Sequence, residues 1–246
     1  MHVHTWRSSC AKPEMVLESI SREARLAGLR YVGLSDHIDI AAHNERPARN
    51  REDLSLGSWD VEFLVGCEAT VLSPASIAVF DDVARELDYV MVAANHYHLQ
   101  SVENPAQRDP ASYASHYLEM LQGVLGWGLA NIVAHPFLHS KIGRIMNPLD
   151  VLEYYDWDRL ERVMVESGER GLSFEIRPGL GSLAPRFFHE LVRLCRRSGV
   201  KFSLGSDAHR LCEIAYPAEF GRELQSMGIR SSDLIDPAQF LFSSRD

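Results

Sequence analysis

The segment YVMVAANHYH, residues 89–98, combines the two features that decide the fold. Its first half is a short apolar run without polar alternation, which is typical of a strand buried on both faces. Its second half places His96 and His98 directly after that run. The same combination recurs along the chain, so each apolar run predicts a parallel strand and each polar end a candidate site residue.

Six further apolar runs predict six more strands. They lie at residues 3–4, 31–35, 63–66, 131–135, 172–176 and 201–206. Segments with helical periodicity separate most of them, at residues 12–28, 73–88, 109–128, 156–171 and 184–199. Strands that alternate with helices form parallel sheets with right-handed crossovers. About seven such units favour a closed barrel over an open sheet, so we predict the α/β class and a (β/α) barrel with one unit fewer than eight.

Capping residues define where three of the predicted helices should begin and end. Pro13 is expected in the first turn of a helix that Gly28 ends. Ser73 is expected to cap the next helix. Asp109 and Gly128 are expected at the start and the end of the third.

The composition is that of an ordinary globular chain. Its 246 residues are 46% hydrophobic, and a net charge of -9 argues against a nucleic-acid-binding surface. The four cysteines include no CxxC pair, so we expect no disulfide framework and a reducing compartment. We find no signal-peptide pattern and no apolar run of about 18 residues, and we expect a cytoplasmic protein without a membrane partner. Residues 1–246 are treated as one domain, and the oligomeric state stays open.

Histidines and carboxylates end every predicted strand, at the edge where barrel enzymes carry their working residues. They are His2 and His4, Asp36 and His37, Glu68, His96 and His98, His135, Glu175, and Asp207 and His209. One histidine near a strand end is more often a hydrogen-bonded surface or core residue than a ligand. Seven strands that all end in this way indicate a metal site instead.

The spacing of two residue pairs suits a shared metal ion. In His2-Val3-His4 both imidazoles point to one face of a strand, because the strand has a period of two. Asp207 and His209 repeat this spacing on the last strand, which a barrel places beside the first. Imidazole and carboxylate are the usual ligands of Zn²⁺, Mn²⁺ and Fe. A carboxylate such as Glu68 can bridge two ions, so the number of candidates points to two or three metals.

In these motifs the chain resembles the polymerase and histidinol phosphatase (PHP) family. The motifs are HVHT at 2–5, SDH at 35–37, GCE at 66–68, NHYH at 95–98, AHP at 134–136 and GSDAH at 205–209. They occur in the family's order and span almost the whole chain. The resemblance implies a distorted (β/α)7 TIM-like barrel, a trinuclear metal site and the hydrolysis of phosphoesters.

The resemblance also implies a role for each motif residue. The implied ligands of the first ion are His2, His4, Glu68 and Asp207. Those of the second ion are Glu68, which bridges, with His96 and His135. His37 and His209 belong to the third site. The residues that we predict to be catalytic are Glu68, Asp207 and His209.

Several positions leave alternatives open. Cys10 stands where the family usually has another histidine or aspartate. Either its thiolate closes the third site, since thiolate is a good zinc ligand, or Cys10 is an ordinary buried residue and the third ion is weak or missing. His96 and His98 compete for the second site; we choose His96 and assign His98 to the opposite face or to substrate. Asp36 is expected to orient a ligand imidazole, and His139 to line the pocket.

These residues predict a metal-dependent phosphoesterase that hydrolyses a phosphomonoester or a small phosphodiester with a metal-activated hydroxide. A protonated histidine or a metal-bound water is expected to protonate the leaving group. Cations that suit a phosphate group are Arg177 and Arg210, followed by Lys141 and Arg144. The partner is therefore a small phosphorylated substrate.

Two other functions stay open on the sequence. A metal-dependent amidohydrolase shares the barrel and the HxH pair, but it usually carries a lysine on a middle strand, and no predicted strand here ends in lysine. A non-catalytic metal-binding module typically loses ligands, whereas nearly the full set is present. Substrate choice lies in the rim loops, for which we take residues 38–62, 99–112 and 138–156, and these contain no recognisable code. The polar segment 36–62 predicts an extended loop with one short helix.

The HVHT motif stands almost at the beginning of the printed chain, where backbone usually frays. We expect the bound ions to hold this segment, so that stripping the metal disorders residues 1–10 first. Either the first strand is a stub, or the natural start lies upstream.

Overall fold

The computed structural model describes residues 1–139, 142, 146–217 and 219–241, and in these it contains eight strands. They are β1 (Tyr31–Leu34), β2 (His37–Ile38), β3 (Glu62–Ser73), β4 (Ser76–Ile77), β5 (Tyr89–Ala93), β6 (Ile132–Val133), β7 (Ser173–Ile176) and β8 (Phe202–Leu204). Six strands run parallel in the order β1-β3-β5-β6-β7-β8. β2 pairs with β3 in parallel, and β4 pairs with β3 in the antiparallel direction.

Val3 closes this sheet into a ring. It forms parallel bridges with Leu34, at the end of β1, and with Ala208, beyond the end of β8. The Val3 carbonyl accepts a hydrogen bond from the Ser35 amide, and the His4 amide donates to the Ala208 carbonyl. With this one-residue strand the chain forms a distorted (β/α)7 barrel. The predicted fold class is therefore confirmed.

Helices follow the parallel strands. They are α1 (Leu17–Leu26), α2 (Arg46–Ser55), α3 (Asp81–Glu86), α4 (Pro110–Trp127), α5 (Trp157–Glu169), α6 (Leu180–Leu183), α7 (Pro185–Arg197) and α8 (Phe220–Ser226). Both predicted caps of α4 are confirmed. The Asp109 side chain accepts from the Ser112 amide at 2.8 Å, and Gly128 ends the helix with a φ of 76°. A side-chain cap of this kind contributes about 1 kcal/mol, because it pairs an amide that the helix leaves free.

The helix expected at 73–88 is only partly present. β3 runs on to Ser73, and β4 returns beside it with Ile77 opposite Val71. The helix is limited to α3, which has acidic residues in its first turn. Cross-strand pairing of the two β-branched side chains stabilises the hairpin, and this non-local contact outweighs the helical periodicity of the segment.

Two other segments differ from expectation. α1 begins at Leu17 and not near Pro13, because residues 12–16 form a turn in which the Met15 amide donates to the Lys12 carbonyl. The loop expected at 36–62 holds more regular structure than predicted. It contains β2, a 3-10 turn and α2.

Three candidate site residues do not end strands as predicted. Glu68 lies inside β3, paired with His37 on one side and Met91 on the other. The prediction that Asp207 and His209 lie on the last strand is wrong, because β8 ends earlier and Asp207 has a φ of 53°. A turn therefore brings the Asp207 carboxylate to the barrel end.

Strand β5 shows how the two faces of the barrel are filled. Val90 and Val92 point outward into the main apolar core under the helices. Tyr89, Met91 and Ala93 point inward, where they pack in a smaller cluster inside the barrel. All five are buried, which explains the apolar run without alternation. None of the helices in the described ranges is both long enough and apolar enough to cross a membrane.

Candidate metal centre

Four side-chain donor atoms meet at the carboxyl end of the barrel, and we call them the first donor group. The Nε2 atoms of His2 and His4 lie 3.1 Å apart. Glu68 Oε2 lies 3.3 and 3.5 Å from them, and Asp207 Oδ1 lies 3.4 and 3.1 Å from them. A zinc tetrahedron with bonds of 2.0–2.1 Å has edges of about 3.3–3.4 Å. The spacing therefore fits one such ion.

Hydrogen bonds on the far side of each ring place the imidazole lone pairs inside this group. His2 Nδ1 lies 2.8 Å from Glu175 Oε1, and because a carboxylate only accepts, Nδ1 carries the proton. Ser8 donates to Asp36 Oδ1 at 2.7 Å, so its oxygen accepts from His4 Nδ1 at 3.3 Å. Both Nε2 atoms are then left with lone pairs that face each other and two carboxylate oxygens. Such a set of donors suits a cation.

The carboxylates around His2 also act on the pKa of its imidazole. Burial opposes ionisation of this imidazole. The carboxylates of Glu175, Asp207 and Glu68 overcome the burial and raise the pKa of His2 to about 10. The first donor group therefore attracts positive charge strongly, whether it comes from a proton or from a metal ion.

Glu68 also faces a second donor group, formed with His96 and His135. Its Oε1 lies 2.8 Å from His135 Nε2 and 3.5 Å from His96 Nε2. Its Oε2 has no hydrogen bond to any described residue, although His37 Nδ1 lies 3.0 Å away. A fully buried carboxylate oxygen without a hydrogen bond is costly in a protein interior. These contacts fit a carboxylate that bridges two ions.

The third donor group contains His4, His37 and His209, whose donor atoms lie within 4.8 Å of one another. The Cys10 thiol contacts both His209 and His37. Burial alone would raise the pKa of Cys10, but these two contacts lower it to about 6. Cys10 is exposed, so the alternative of an ordinary buried cysteine is wrong. Its role as a ligand stays a prediction.

Two of the candidate ligands have strained backbones. His135 has a φ of 30° and Asp207 a φ of 53°. Positive φ values are uncommon outside glycine and cluster at functional sites, where surrounding contacts maintain them. The His135 amide donates to Glu175 Oε2 at 2.5 Å, and Arg177 donates to Asp207 Oδ2 at 2.6 Å. These bonds hold both residues in place.

Sequence reasoning placed Glu175 at a strand end but gave it no role. One of its oxygens bonds to the ring of His2 and the other to the backbone of His135, so it supports the first and second donor groups together. Gly205 makes room for it, since a Cβ there would lie 1.7 Å from Glu175 Oε1. A carboxylate within the otherwise apolar run LSFEI at 172–176 was the available signal.

The cations predicted to bind phosphate differ in position. Arg177 is 30% exposed beside Asp207, next to the first donor group. Arg210 is exposed at the rim, where its backbone amide donates to Glu213. Lys141 and Arg144 lie outside the described residues. The first residue of α2 adds a cation that we had not predicted.

This additional cation is Arg46, which donates to the His37 carbonyl at 2.6 Å. His98 is exposed, with its ring centroid 5.5 Å from that of His96. His139 does not line the site, because it is buried and its Nε2 lies 2.7 Å from the Tyr155 hydroxyl. Asp36 acts on a candidate ligand as expected, but through Ser8 and not directly.

Solved structures with this architecture include two histidinol phosphatases. A histidinol phosphate phosphatase from Lactococcus lactis subsp. lactis, in complex with zinc, L-histidinol and phosphate, matches with a TM-score of 0.62 and 13% identity over 93% of each chain. A Listeria monocytogenes structure assigned as a histidinol phosphatase matches with a TM-score of 0.59 and 11% identity, over 89% of this chain and 98% of that one. At such identities the likeness defines the fold. No protein-family model and no curated protein matches the sequence.

Proposed function

We propose that this chain is a metal-dependent phosphoesterase that acts on small phosphate esters. The observation that carries the proposal is the position of Glu68. One of its oxygens faces the first donor group and the other faces the second, with imidazole nitrogens at 2.8–3.5 Å around the carboxylate. Two ions that share one carboxylate form the type of site that clamps a phosphoryl group.

We assign the ligands by donor group. The first ion takes His2, His4, Glu68 and Asp207. The second takes Glu68, His96 and His135. The third takes His37 and His209, with Cys10 as the third ligand. Nitrogen and oxygen donors accept zinc, manganese or iron, and the thiol of Cys10 favours zinc in the third site.

The ions supply two effects when bound: they lower the pKa of a water toward about 7 and neutralise the phosphate oxygens. The chain itself orients the reaction. The Arg177 guanidinium donates one N–H to Asp207, and its remaining N–H groups are available to bind a phosphate oxygen. Arg210 and His98 are exposed at the same rim and are our candidates for contact with the rest of the substrate.

A small phosphomonoester of the histidinol phosphate type is the first substrate to test. The Lactococcus lactis structure of the same fold holds L-histidinol and phosphate with zinc. The site of this chain suits phosphate because ion ligands and Arg177 lie together there. We further propose a cytoplasmic enzyme of one domain, and the four free cysteines suit the reducing compartment in that proposal.

Phosphate release tests this proposal directly. Zinc-reconstituted and manganese-reconstituted protein are assayed against histidinol phosphate, nucleoside monophosphates and an aryl phosphate, beside chelator-treated protein and Asp207→Ala. We expect release only from the reconstituted wild-type chain. No release from any ester would contradict the enzyme and favour a non-catalytic metal-binding module.

The amidohydrolase alternative lacks its expected lysine among the residues with described positions. Lys12 is exposed in a turn, and Lys201 donates to the Ser232 carbonyl ahead of β8. Neither lies on a middle strand, where such a lysine is expected. Amide substrates in the same assay would reveal that activity.

A further inference from the structure

Two consecutive hydrogen bonds connect His96 to the carboxylate of Asp39, which we do not assign as a ligand although one of its oxygens lies within 4.8 Å of donor atoms of His37 and His96. Thr70 follows Glu68 by two residues in β3, so both side chains point to the inside of the barrel. The Thr70 hydroxyl donates to Asp39 Oδ1 at 2.6 Å. The Thr70 hydroxyl oxygen also lies 2.9 Å from His96 Nδ1. Thr70 and His96 are buried, while Asp39 is 21% exposed at the rim.

The positions of the protons in these two hydrogen bonds determine the tautomer of His96. A hydroxyl has one proton, and here the proton goes to Asp39, because a carboxylate can only accept. The Thr70 oxygen is then an acceptor toward the ring, so His96 Nδ1 must carry a proton. This leaves the lone pair on Nε2, the atom that faces Glu68 Oε1. A neutral imidazole in this tautomer is ready to bind a metal.

A second pair of hydrogen bonds of the same type supports His4 in the first donor group. His4 Nδ1 contacts Ser8, and Ser8 donates to Asp36. The two carboxylates therefore come from one short segment, Asp36-His37-Ile38-Asp39, on either side of a residue of the third donor group. One segment thus supports a histidine of the first group and a histidine of the second.

We infer that Thr70 and Asp39 are positioning residues for the second donor group, and that they hold His96 in the tautomer and orientation that present Nε2 to the ion shared with Glu68. The inference rests on the proposed function and deepens it. Partners of this kind raise the basicity of a ligand imidazole and restrict its rotation. Removing them is expected to weaken metal binding without removing any ligand.

Thr70→Val is the main test, because valine keeps the shape and loses the hydroxyl. Zinc affinity and stoichiometry are measured on the full chain by competition with a chromophoric chelator. We expect the ion of the second donor group to bind about 10–100-fold less tightly. Thr70→Ser keeps the hydroxyl and should restore affinity to within about threefold of wild type.

A spectroscopic measurement separates positioning from general damage. In the zinc-loaded protein, nitrogen-15 NMR of the histidine rings should show His96 protonated at Nδ1. Thr70→Val should remove the hydrogen bond at that proton. Asp39→Ala should free the Thr70 hydroxyl to donate to Nδ1 and shift the metal-free ring to the other tautomer. Ser8→Ala is the matched control, which should alter the His4 signals and leave those of His96 unchanged.

The outcomes distinguish this inference from the proposed function. Wild-type zinc affinity in Thr70→Val, with His96 still protonated at Nδ1, would overturn only the positioning role. Loss of one whole ion in Asp39→Ala but not in Thr70→Val would also overturn it, since Asp39 would then be a ligand itself. If Thr70→Val does not fold, an unchanged His96 tautomer in the metal-free Asp39→Ala variant would contradict the positioning role. Normal zinc binding without phosphate release would overturn only the phosphoesterase.

Discussion

The first and third donor groups share His4 and yet differ in charge and access. In the first group His2, His4 and Glu68 are fully buried, and two carboxylates supply negative charge. The third group contains only imidazoles, and its two members besides His4 are partly open to solvent, with His37 17% and His209 26% exposed. None of its three members is a carboxylate, although Glu68 Oε2 lies 3.0 Å from His37 Nδ1 and Asp207 Oδ1 lies 3.6 Å from His209 Nδ1, and the exposed thiol of Cys10 lies beside it. Burial and carboxylate charge predict that the first ion binds tightly and that the third exchanges readily.

Glu68→Gln should give the largest effect, because it removes the charge that the first two groups share. The amide has nearly the same shape, so the barrel should still fold. We expect phosphate release to fall by at least about 10³-fold, since charge is lost beside both ions. Zinc content should fall by more than one ion per chain. A variant with full zinc content would show that Glu68 does not bridge.

Removal of the ions should destabilise the segment that bears two of the ligands. An ion present at a thousand times its Kd contributes about 4 kcal/mol, so chelation should lower the Tm by roughly 10 °C. Residues 1–10 should lose hydrogen-exchange protection first, because this segment has no strand longer than the single bridged residue Val3 in the described part of the chain. Faster exchange at β5 than at residues 1–10 would contradict the anchoring role.

Gly205→Ala tests the support of the first group without touching a ligand. The new Cβ would lie 1.7 Å from Glu175 Oε1, so the carboxylate must move and release the ring of His2. We expect a stability loss of about 1–3 kcal/mol and a zinc affinity lowered about 10–100-fold. Gly221→Ala is the matched control. It has no neighbour within 4 Å in α8 and should be stabilising by up to about 1 kcal/mol.

Cys10→Ser should have the smallest effect and should be confined to the third group. A serine hydroxyl is a poor zinc ligand, so the third ion should bind at least about tenfold more weakly, with the first two retained. In cobalt-substituted protein the sulfur-to-metal charge-transfer band should disappear. Cys212→Ser removes the other exposed cysteine and should keep the band. A band that survives in Cys10→Ser would exclude Cys10 as a ligand.

Local sequence patterns were sufficient to predict most of the fold. β5 matches its predicted range because five residues that are buried on both faces leave an unmistakable apolar run. α4 matches because Asp109 and Gly128 encode its ends chemically. The hairpin at β4 was missed, since its stability comes from pairing with β3 and not from the segment itself. Asp207 was expected on a strand, but it lies in a turn in which its carboxylate accepts from Arg177, a contact across 30 positions that no local pattern encodes.

The candidate ligands were easier to predict than the residues that support them. Ligands carry a distinct side-chain chemistry and follow apolar runs, so they can be found one motif at a time. Glu175 lies 173 positions from His2, and Ser8 and Thr70 have ordinary side chains whose role depends on one contact each. Only the folded chain brings such partners together.

The ring closure at Val3 has a consequence for how the protein assembles. Its bridges to Leu34 and Ala208 join residues that precede the first strand of the sheet to residues that follow the last, and His4 meets Asp207 across 203 positions. Contacts of such high sequence separation form late, because the closure entropy of the whole loop must be overcome first. During synthesis the first donor group therefore cannot form until the final strand has emerged. Metal uptake at this group then marks the completion of folding, and an ion bound there selects chains whose barrel has closed.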